Sequence, residues 1–425
     1  MRSFRIAYFA DTHIGYSYAD RNNERGVNLR VQDGYDALHE IVQGIVQEHE
    51  SDPIDAILHG GDVFHTSHPS IRDIMTMQHY LRLIAKHKIP FYALAGNHDA
   101  SDVRSNIAAV GVLNDPDRGL HALYEPYQTY DLNEQIVLHS VAHHGHKDER
   151  SPEVIPQADK INIFTTHGAA VDPKNATLMR CLDSPREQII PPELVLSEDF
   201  AVRLLGHYHS RHPVGGESLN TWYSGSTLRR GFSDEAGDRG WLLVTVYEDE
   251  SVEVEFRNIR QRPQKDFDVI DANGLTSQEI QDLIIDNLDS TNAEEKAENF
   301  NMRNAPILRQ RVINADRHVR EGIDRSLLAR KAAHALRWQL EFMRPALQQR
   351  DAANSQEQDL IDKTVEEAAP TLDKKKSSGS INIEQQYLDW ATTASQVMRN
   401  IPPESRSIVG EEGRRHLRSV AEKGE

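Results

Sequence analysis

Short apolar runs alternate with stretches of helical periodicity over roughly the first 260 residues. The runs typical of strands are RIAYFAD, IDAILHGGD, IPFYALAGNHD, QIVLHSVAHH, INIFTTHG and FAVRLLGHYH. Between them, apolar residues recur at steps of three and four from 38 to 45 and from 74 to 84, as on one face of a helix. This alternation predicts an α/β fold, a layered core of β-sheets flanked by helices, over residues 1–262.

A smaller unit is predicted at residues 266–348. It begins with the strand-like DFDVIDA, continues with a helix opened by a capping box from Thr276 to Glu279, and contains a second strand-like run, PILRQRVIN. A long helix rich in Ala, Leu and Arg is expected to follow. We therefore expect a separate, smaller α/β domain that caps the first one.

The chain beyond residue 348 is polar and charged. Its composition, which includes DKKKSSGS, predicts a flexible linker at 349–381. In the last segment, 382–425, apolar residues recur at helical spacing, and the following residues are candidates for binding a partner: Ile383, Tyr387, Trp390, Val397 and Met398. The helical segment either binds a groove on another protein, which we favour, or packs on this protein's own core.

Polar residues follow five of the predicted strands at the point where each strand ends. These strand-end clusters are Asp11 with His13, Asp62 with His65, Asn97 with His98 and Asp99, His167, and His207 with His209. The carboxyl ends of parallel strands open onto one crevice, so the clusters are expected to converge. Carboxylate, imidazole and amide ligands without thiolate suit Mn²⁺ or a similar ion, and a carboxylate can bridge two such ions. HSVAHHGHK, with His143, His144 and His146, fits no motif and is predicted to be a solvated loop.

The charge balance is acidic and poor in lysine. The net charge is −18, and only 13 of the 48 basic residues are lysine, a balance typical of salt-loving organisms. Cys181 is the single cysteine, which excludes an internal disulfide and suits a reducing cytosol. The sequence contains neither a signal-like amino terminus nor an apolar run of about 18 residues, so we expect a cytoplasmic protein with no membrane partner.

The order D-x-H, G-D-x-x-H, G-N-H-D, H, G-H-x-H resembles the signature of the calcineurin-like metallophosphoesterases. The stretches ADTHIGY, GDVFH and YSGSTLRRGFSDEAGDRGWLLV resemble, more narrowly, the Mre-eleven nuclease family of DNA double-strand break repair, called SbcD in bacteria. With the acidic composition, the resemblance suggests a member from a halophilic archaeon. It implies a Mn²⁺-dependent DNA exonuclease and single-strand endonuclease with two divalent metal ions.

The resemblance also implies how the ligands divide. Asp11, His13 and His209 would bind one ion, Asn97, His167 and His207 the other, and Asp62 would bridge them. His98 is the candidate for assisting the leaving sugar oxygen. His65 would help to set the DNA end and favour exonuclease action. Asp99 either orients His98 or is a turn residue, and the sequence favours neither.

An acidic chain needs local basic sites if it is to bind DNA. The candidates are Arg21, Arg25 and Arg30 after the first motif, and Arg229 and Arg230 after YSGST. The alternative is that they are ordinary solvated charges, and we favour DNA contact. The resemblance implies a Rad-fifty-type coiled-coil ATPase and a second copy of this chain as partners. Two other functions stay open: a phosphatase or cyclic-nucleotide phosphodiesterase on the same metal core, and a non-catalytic repair scaffold.

The excess of acidic residues predicts a protein stabilised by salt. At molar ionic strength the Debye length falls to about 3 Å, so repulsion between surface carboxylates is removed. We expect the melting temperature to rise as KCl is increased from dilute to molar in a calorimetric series. A melting temperature that falls steadily over that range would contradict the halophilic interpretation.

Overall fold

The computed structural model describes residues 3–18, 21–99, 108–149, 152–170, 188–232, 234, 236–292 and 304–343. The predicted linker at 349–381, the helical segment at 382–425 with its partner-binding stripe, and Cys181 lie outside these residues. In the described part of the chain, no helix combines the length and apolar character needed to cross a lipid bilayer.

Two six-stranded sheets form the first domain. The first sheet has the order β12-β11-β1-β2-β3-β4, in which β1 to β4 are parallel and β11 and β12 are antiparallel. Its strands are β1 (Ser3–Phe9), β2 (Ala56–His59), β3 (Phe91–Leu94), β4 (Leu120–Leu123), β11 (Arg239–Tyr247) and β12 (Val252–Ile259). Four neighbouring strands therefore place their carboxyl ends at one edge.

The second sheet has the order β5-β6-β7-β8-β10-β9, and its central strands β6, β7, β8 and β10 are parallel. Its strands are β5 (Gln128–Asp131), β6 (Ile136–Val141), β7 (Ile161–His167), β8 (Val202–Gly206), β9 (His212–Pro213) and β10 (Thr221–Tyr223). One buried hydrophobic cluster includes Ile6 and Leu58 of the first sheet and Leu138 and Val202 of the second. Residues of both sheets therefore pack together in one hydrophobic cluster.

The helices of the first domain cover this core. They are α1 (Leu29–Ser51), α2 (Ile71–Lys86) and the short α3 (Pro192–Leu196). The helical spacing seen in the sequence buries one face of α1, including Leu38 and Ile45, and α2 begins with a capping box formed by Ser70 and Asp73. The predicted layered α/β core is confirmed.

The second domain is a four-stranded sheet with helices. Its elements are β13 (Gln264–Asp266), β14 (Ile270–Asp271), α4 (Ser277–Asn292), β15 (Ile307–Ile313), α5 (Arg317–Glu321), α6 (Arg325–Lys331) and β16 (Arg337–Phe342). Strand β15 runs parallel to the other three strands. The expected long helix is wrong, since α6 ends at Lys331. Trp338, Leu340 and Phe342 then alternate with polar residues, and this period of two suits a strand that packs on the domain's core.

A buried ionic cluster joins the two domains. The Asp33 carboxylate in α1 accepts hydrogen bonds from Nε and Nη2 of Arg262, both at 2.7 Å, and from Nη1 of Arg30 at 2.6 Å. The Arg30 and Arg262 side chains are 0% and 1% exposed. Arg262 also donates to the carbonyl oxygen of Ala305 in the second domain at 2.6 Å. One carboxylate therefore compensates two buried guanidinium groups at the junction.

Substitution Asp33→Asn is expected to destabilise the protein strongly, because it removes the negative charge that both buried guanidinium groups share. Breaking a buried ion pair from one side costs about 3–5 kcal/mol. The matched control is Glu40→Gln, whose carboxylate lies 3.5 Å from the 93% exposed Arg260 and should contribute less than about 1 kcal/mol. Urea unfolding measures both free energies, and equal small losses would show that the cluster does not hold the domains.

Candidate metal centre

All seven predicted metal ligands lie together where strands β1, β2, β3, β7 and β8 end. In one half of the cluster, Nε2 of His13 is 3.2 Å from Nε2 of His209, and each of these atoms is 4.0 Å from Oδ1 of Asp11. This trio offers two imidazole nitrogens and one carboxylate oxygen within a sphere that a metal ion could fill.

The other half of the cluster is built around an amide. Oδ1 of Asn97 lies 3.0 Å from Nε2 of His167 and 3.2 Å from Nδ1 of His207. Asp62 lies between the halves, because its Oδ2 is 3.6 Å from Nε2 of His13 and 3.5 Å from Nε2 of His167. A single carboxylate oxygen therefore faces both groups of residues.

The backbone is strained at these positions. Asp11, His13, Asp62 and His207 have φ values of 52°, 42°, 55° and 113°, in the region that favours glycine. Such conformations cost about 1–3 kcal/mol each and persist only where the surroundings impose them. Here the loop after β1 is bonded to the loop after β2, through Asp11 N–H to Gly61 O and His13 N–H to Asp62 O, both at 3.0 Å.

Gly61 permits the closest approach in the site. Its φ is +101°, and a Cβ atom there would lie 2.4 Å from Nδ1 of His167. Any larger residue would therefore displace the His167 ring from Asp62, so the glycine before the carboxylate is a steric requirement.

The donor and acceptor inventory fits a cation. Oδ2 of Asp11 accepts the backbone N–H of His207 at 3.0 Å, but Oδ1 is buried and has no hydrogen-bond partner within the described ranges. Burying a charged oxygen without a partner costs several kcal/mol. A metal ion bound by Asp11, His13 and His209 would satisfy that oxygen.

The tautomer of His167 points to the same conclusion. Its Nδ1 must donate to the carbonyl oxygen of Gly60 at 2.8 Å, because a carbonyl only accepts. In the neutral ring, the lone pair of Nε2 then faces two acceptor oxygens, Asn97 Oδ1 and Asp62 Oδ2, with no hydrogen atom between them, and a cation would satisfy all three atoms. Burial lowers the pKa of His167, but the charge of Asp62 outweighs it and raises the pKa to about 9. The electrostatic pull that would hold a proton here would also hold a metal cation.

His65 and His98 lie over this cluster. The backbone N–H of His98 donates to Oδ1 of Asp62 at 2.8 Å, and its Nδ1 donates to the carbonyl oxygen of His65 at 2.8 Å. The two rings stack with centroids 5.2 Å apart, and the His98 ring is 4.7 Å from that of His13. Burial and the neighbouring His98 lower the pKa of His65 to about 4, so His65 is neutral at pH 7.

Asp99 braces the loops and does not orient His98. Its Oδ1 accepts the backbone N–H of Phe64 at 2.8 Å, and its Oδ2 accepts those of Val63 at 3.0 Å and Gly96 at 3.1 Å. Burial and the charge of Asp62 raise its pKa to about 7. Of the two interpretations that the sequence left open, the structure supports the turn residue, because Asp99 lies in a turn and both of its carboxylate oxygens accept backbone N–H groups.

A second layer of histidines surrounds the site. His143 is buried, and its Nδ1 donates to the carbonyl oxygen of His167 at 3.1 Å. His146 is also buried, and its Nε2 lies 2.6 Å from Oγ1 of Thr166. The prediction of a solvated loop is therefore wrong for both, because a 3₁₀ segment, His143–Glu149, turns back against the end of β7. The density of histidines was the only sequence signal for this layer.

The structure separates the five candidate DNA-binding arginines. Arg21 and Arg25 are exposed, whereas Arg229 and Arg230 are half-buried. Arg30 is fully buried, and it donates to Asp33 and to the carbonyl oxygen of Arg229. The expectation that Arg30 contacts DNA is wrong, because its guanidinium group is committed to the junction of the two domains.

Comparison with known proteins gives relatives of modest identity. The chain is 25% identical over 287 residues to the DNA double-strand break repair protein Mre11 of Methanosarcina acetivorans, which covers 61% of this chain and 39% of the relative. It is 26% identical over 273 residues to the protein of the same name from Haloferax volcanii, with coverage of 61% and 53%. The chain thus matches about half or less of these relatives' length.

Among solved structures, the protein TT1561 of Thermus thermophilus is similar over 61% of this chain and 100% of that chain, with 13% identity and a TM-score of 0.34. A family model described as calcineurin-like phosphoesterase matches residues 4–242, a range that contains all five strand-end clusters. Because this match spans more than half of the chain, the protein belongs to the calcineurin-like phosphoesterase family.

Proposed function

We propose that the protein is a Mn²⁺-dependent DNA nuclease of double-strand break repair, with exonuclease and single-strand endonuclease activities. The observation that carries the proposal is the position of Asp62, with one carboxylate oxygen 3.6 Å from His13 and 3.5 Å from His167. Two half-sites that share a carboxylate suit a phosphodiester as substrate. The anionic oxygens of a phosphodiester repel a nucleophile from the phosphorus atom, and two cations would neutralise that charge. We propose DNA as the substrate because the similar proteins from Methanosarcina and Haloferax are named as DNA double-strand break repair proteins.

The half-sites divide the proposed ligands. Asp11, His13 and His209 would hold one cation, Asn97, His167 and His207 would hold the other, and Asp62 would touch both. A donor set of oxygen and imidazole nitrogen without sulfur favours Mn²⁺ over a structural zinc ion. Two bound cations would supply charge neutralisation at the scissile phosphate and a more acidic water as nucleophile.

His98 is proposed to protonate the leaving sugar oxygen. Because Nδ1 donates to the carbonyl oxygen of His65, Nε2 is the nitrogen that remains free to exchange a proton with substrate. The backbone bond from His98 to Asp62 fixes this ring relative to the proposed bridging carboxylate. His65 is neutral and stacked on His98, a position from which it would set the end of a DNA strand.

Binding of DNA would also use basic residues besides the seven proposed metal ligands. The exposed Arg21 and Arg25 and the half-buried Arg229 and Arg230 are the described basic residues that we propose as phosphate contacts. The helical segment at 382–425 would bind a Rad-fifty-type coiled-coil ATPase, and the protein would act as a homodimer in the cytoplasm. These partners rest on the similarity to the named repair proteins.

The direct test is incubation with Mn²⁺ and end-labelled duplex DNA, in parallel with a circular single strand. We expect release of nucleotides from the duplex end and cleavage of the circle. A phosphatase would instead hydrolyse p-nitrophenyl phosphate rapidly and leave both DNAs intact. A repair scaffold would bind DNA and cleave none of the three substrates.

The variant Asp62→Asn should retain the fold but lose at least about a thousandfold in DNA cleavage, since a neutral amide cannot hold two cations close together. Asp117→Asn, in an exposed turn before β4, is the matched control and should cleave normally. Mn²⁺ titration and cleavage assays would be made on both proteins. Cleavage by the Asp62 variant at a rate close to that of the unaltered protein, in excess Mn²⁺, would refute the shared-carboxylate model.

His98→Ala should bind Mn²⁺ normally and cleave about 10²- to 10⁴-fold more slowly, because only assistance to the leaving group is lost. Loss of Mn²⁺ from this variant would place His98 among the ligands.

His65→Ala should reduce exonuclease activity more than endonuclease activity. The comparison is made on a linear duplex and a single-stranded circle. Equal losses of activity on the two DNAs would remove the proposed role of His65.

A further inference from the structure

The segment Arg229–Arg230 is fixed from both domains. The carbonyl oxygen of Arg229 accepts hydrogen bonds from Nη2 of Arg30 at 2.5 Å and from Nε2 of Gln264, in β13, at 2.7 Å. The backbone N–H of Arg229 donates to Oε1 of Gln261 at 3.1 Å. The segment is therefore bonded to α1 on one side and to the second domain on the other.

The backbone N–H and the carbonyl oxygen of Arg230 are both hydrogen-bonded as well. Its N–H donates to Oδ2 of Asp234 at 2.9 Å, and its carbonyl oxygen accepts the hydroxyl of Tyr16 at 3.0 Å. Its side chain extends into the metal centre, where Nη2 lies 3.0 Å from Nδ1 of His209 and Nη1 lies 3.5 Å from Nε2 of His13. A positive group is thus held at the mouth of a site built to bind cations.

Two groups compete for Nδ1 of His209. Oδ1 of Asp234 lies 3.2 Å from this nitrogen and Nη2 of Arg230 lies 3.0 Å from it. The nitrogen donates to the carboxylate or accepts from the guanidinium, but it cannot do both. A ring that uses Nε2 as a metal ligand carries its hydrogen on Nδ1, and then Asp234 is the partner that fits.

The same ligand role withdraws the second acceptor from Arg230. Nε2 of His13 cannot accept a hydrogen bond from Nη1 while it binds a cation. In that arrangement the backbone bonds still hold the segment that carries Arg230 beside the centre, and the guanidinium group still lies over the Tyr16 ring, but both ring nitrogens are lost to it as acceptors. It is left with two N–H groups beside the place where a phosphate would meet the cations.

We infer that Arg230 is a phosphate-binding residue of the metal centre, which donates two hydrogen bonds to the non-bridging oxygens of the substrate. This inference rests on the proposed metal centre and adds a residue to it. A planar guanidinium matches two phosphate oxygens in a way that a lysine ammonium does not. Because the group is half-buried, salt should screen this contact less than the contacts of exposed Arg21 and Arg25.

The test compares Arg230→Gln, Arg230→Lys and the control Arg118→Gln. Arg118 lies in an exposed turn before β4, at the opposite end of the parallel strands, and its loss makes the same change in charge. Mn²⁺ affinity is measured first by electron paramagnetic resonance. The affinity of each Mn²⁺-loaded protein for inorganic phosphate is then measured by calorimetry.

We expect Arg230→Gln to keep Mn²⁺ affinity within about threefold while phosphate binding weakens by about ten- to a hundredfold, as for lost hydrogen bonds to a charged group. Arg230→Lys should restore part of the loss, and Arg118→Gln should match the unaltered protein. Unchanged phosphate affinity in Arg230→Gln, or no phosphate binding by the unaltered Mn²⁺-loaded protein, would overturn the inference. A larger effect on Mn²⁺ than on phosphate would assign Arg230 a structural role.

The two proposals fail separately in these experiments. Binding of inorganic phosphate does not require DNA as substrate. Suppose that the unaltered protein cleaves no DNA but binds phosphate, and that the Arg230→Gln variant binds phosphate more weakly. The nuclease assignment would then be wrong, and the role of Arg230 would stand.

Discussion

Two carboxylates buried close together constrain this structure more than any other feature. The side chains of Asp11 and Asp62 are 0% and 3% exposed, and with His167 they place ligand atoms within 4.8 Å of one another. Burial raises the pKa of Asp11, with a further contribution from the charge of Asp62. Like charges at this range in a low-dielectric interior are tolerated only if cations compensate them. The surrounding histidines and the proposed metal ions answer that requirement.

The loops that carry the two carboxylates adopt strained backbone conformations, and hydrogen bonds between the loops hold them in these conformations. Four residues of the centre adopt left-handed φ values, while Asp99, in the loop after β3, is bonded to the loop after β2 through the N–H groups of Val63 and Phe64. His59 adds a further tie, because its Nδ1 accepts the N–H of Gly61 and its Nε2 lies 3.0 Å from the hydroxyl of Thr12. The strain in these loops lowers the stability of the folded protein, and the bonds that maintain it keep the centre in a fixed geometry.

Hydrophobic periodicity predicted the parts of the molecule that depend on local pattern. The strands, the helices α1 and α2, and the placement of polar residues at strand ends follow from spacing alone. Features that depend on tertiary partners could not be read in this way. The sequence predicts that Arg30 is a surface residue, but in the structure it is buried and bonded to Asp33 and to the carbonyl oxygen of Arg229. The sequence likewise predicts that His143 is solvated, but it is bonded to the end of β7. Strand β16 was obscured because the preceding alanines favour a helix.

Whether Asp62 joins two cation sites can be measured by anomalous scattering from crystals soaked in Mn²⁺. We expect two peaks, about 3.5–4 Å apart, on either side of the Asp62 carboxylate. One peak should lie against Asp11, His13 and His209, and the other against Asn97, His167 and His207. A single peak, or two peaks that do not share Asp62, would show that this carboxylate does not join two cation sites.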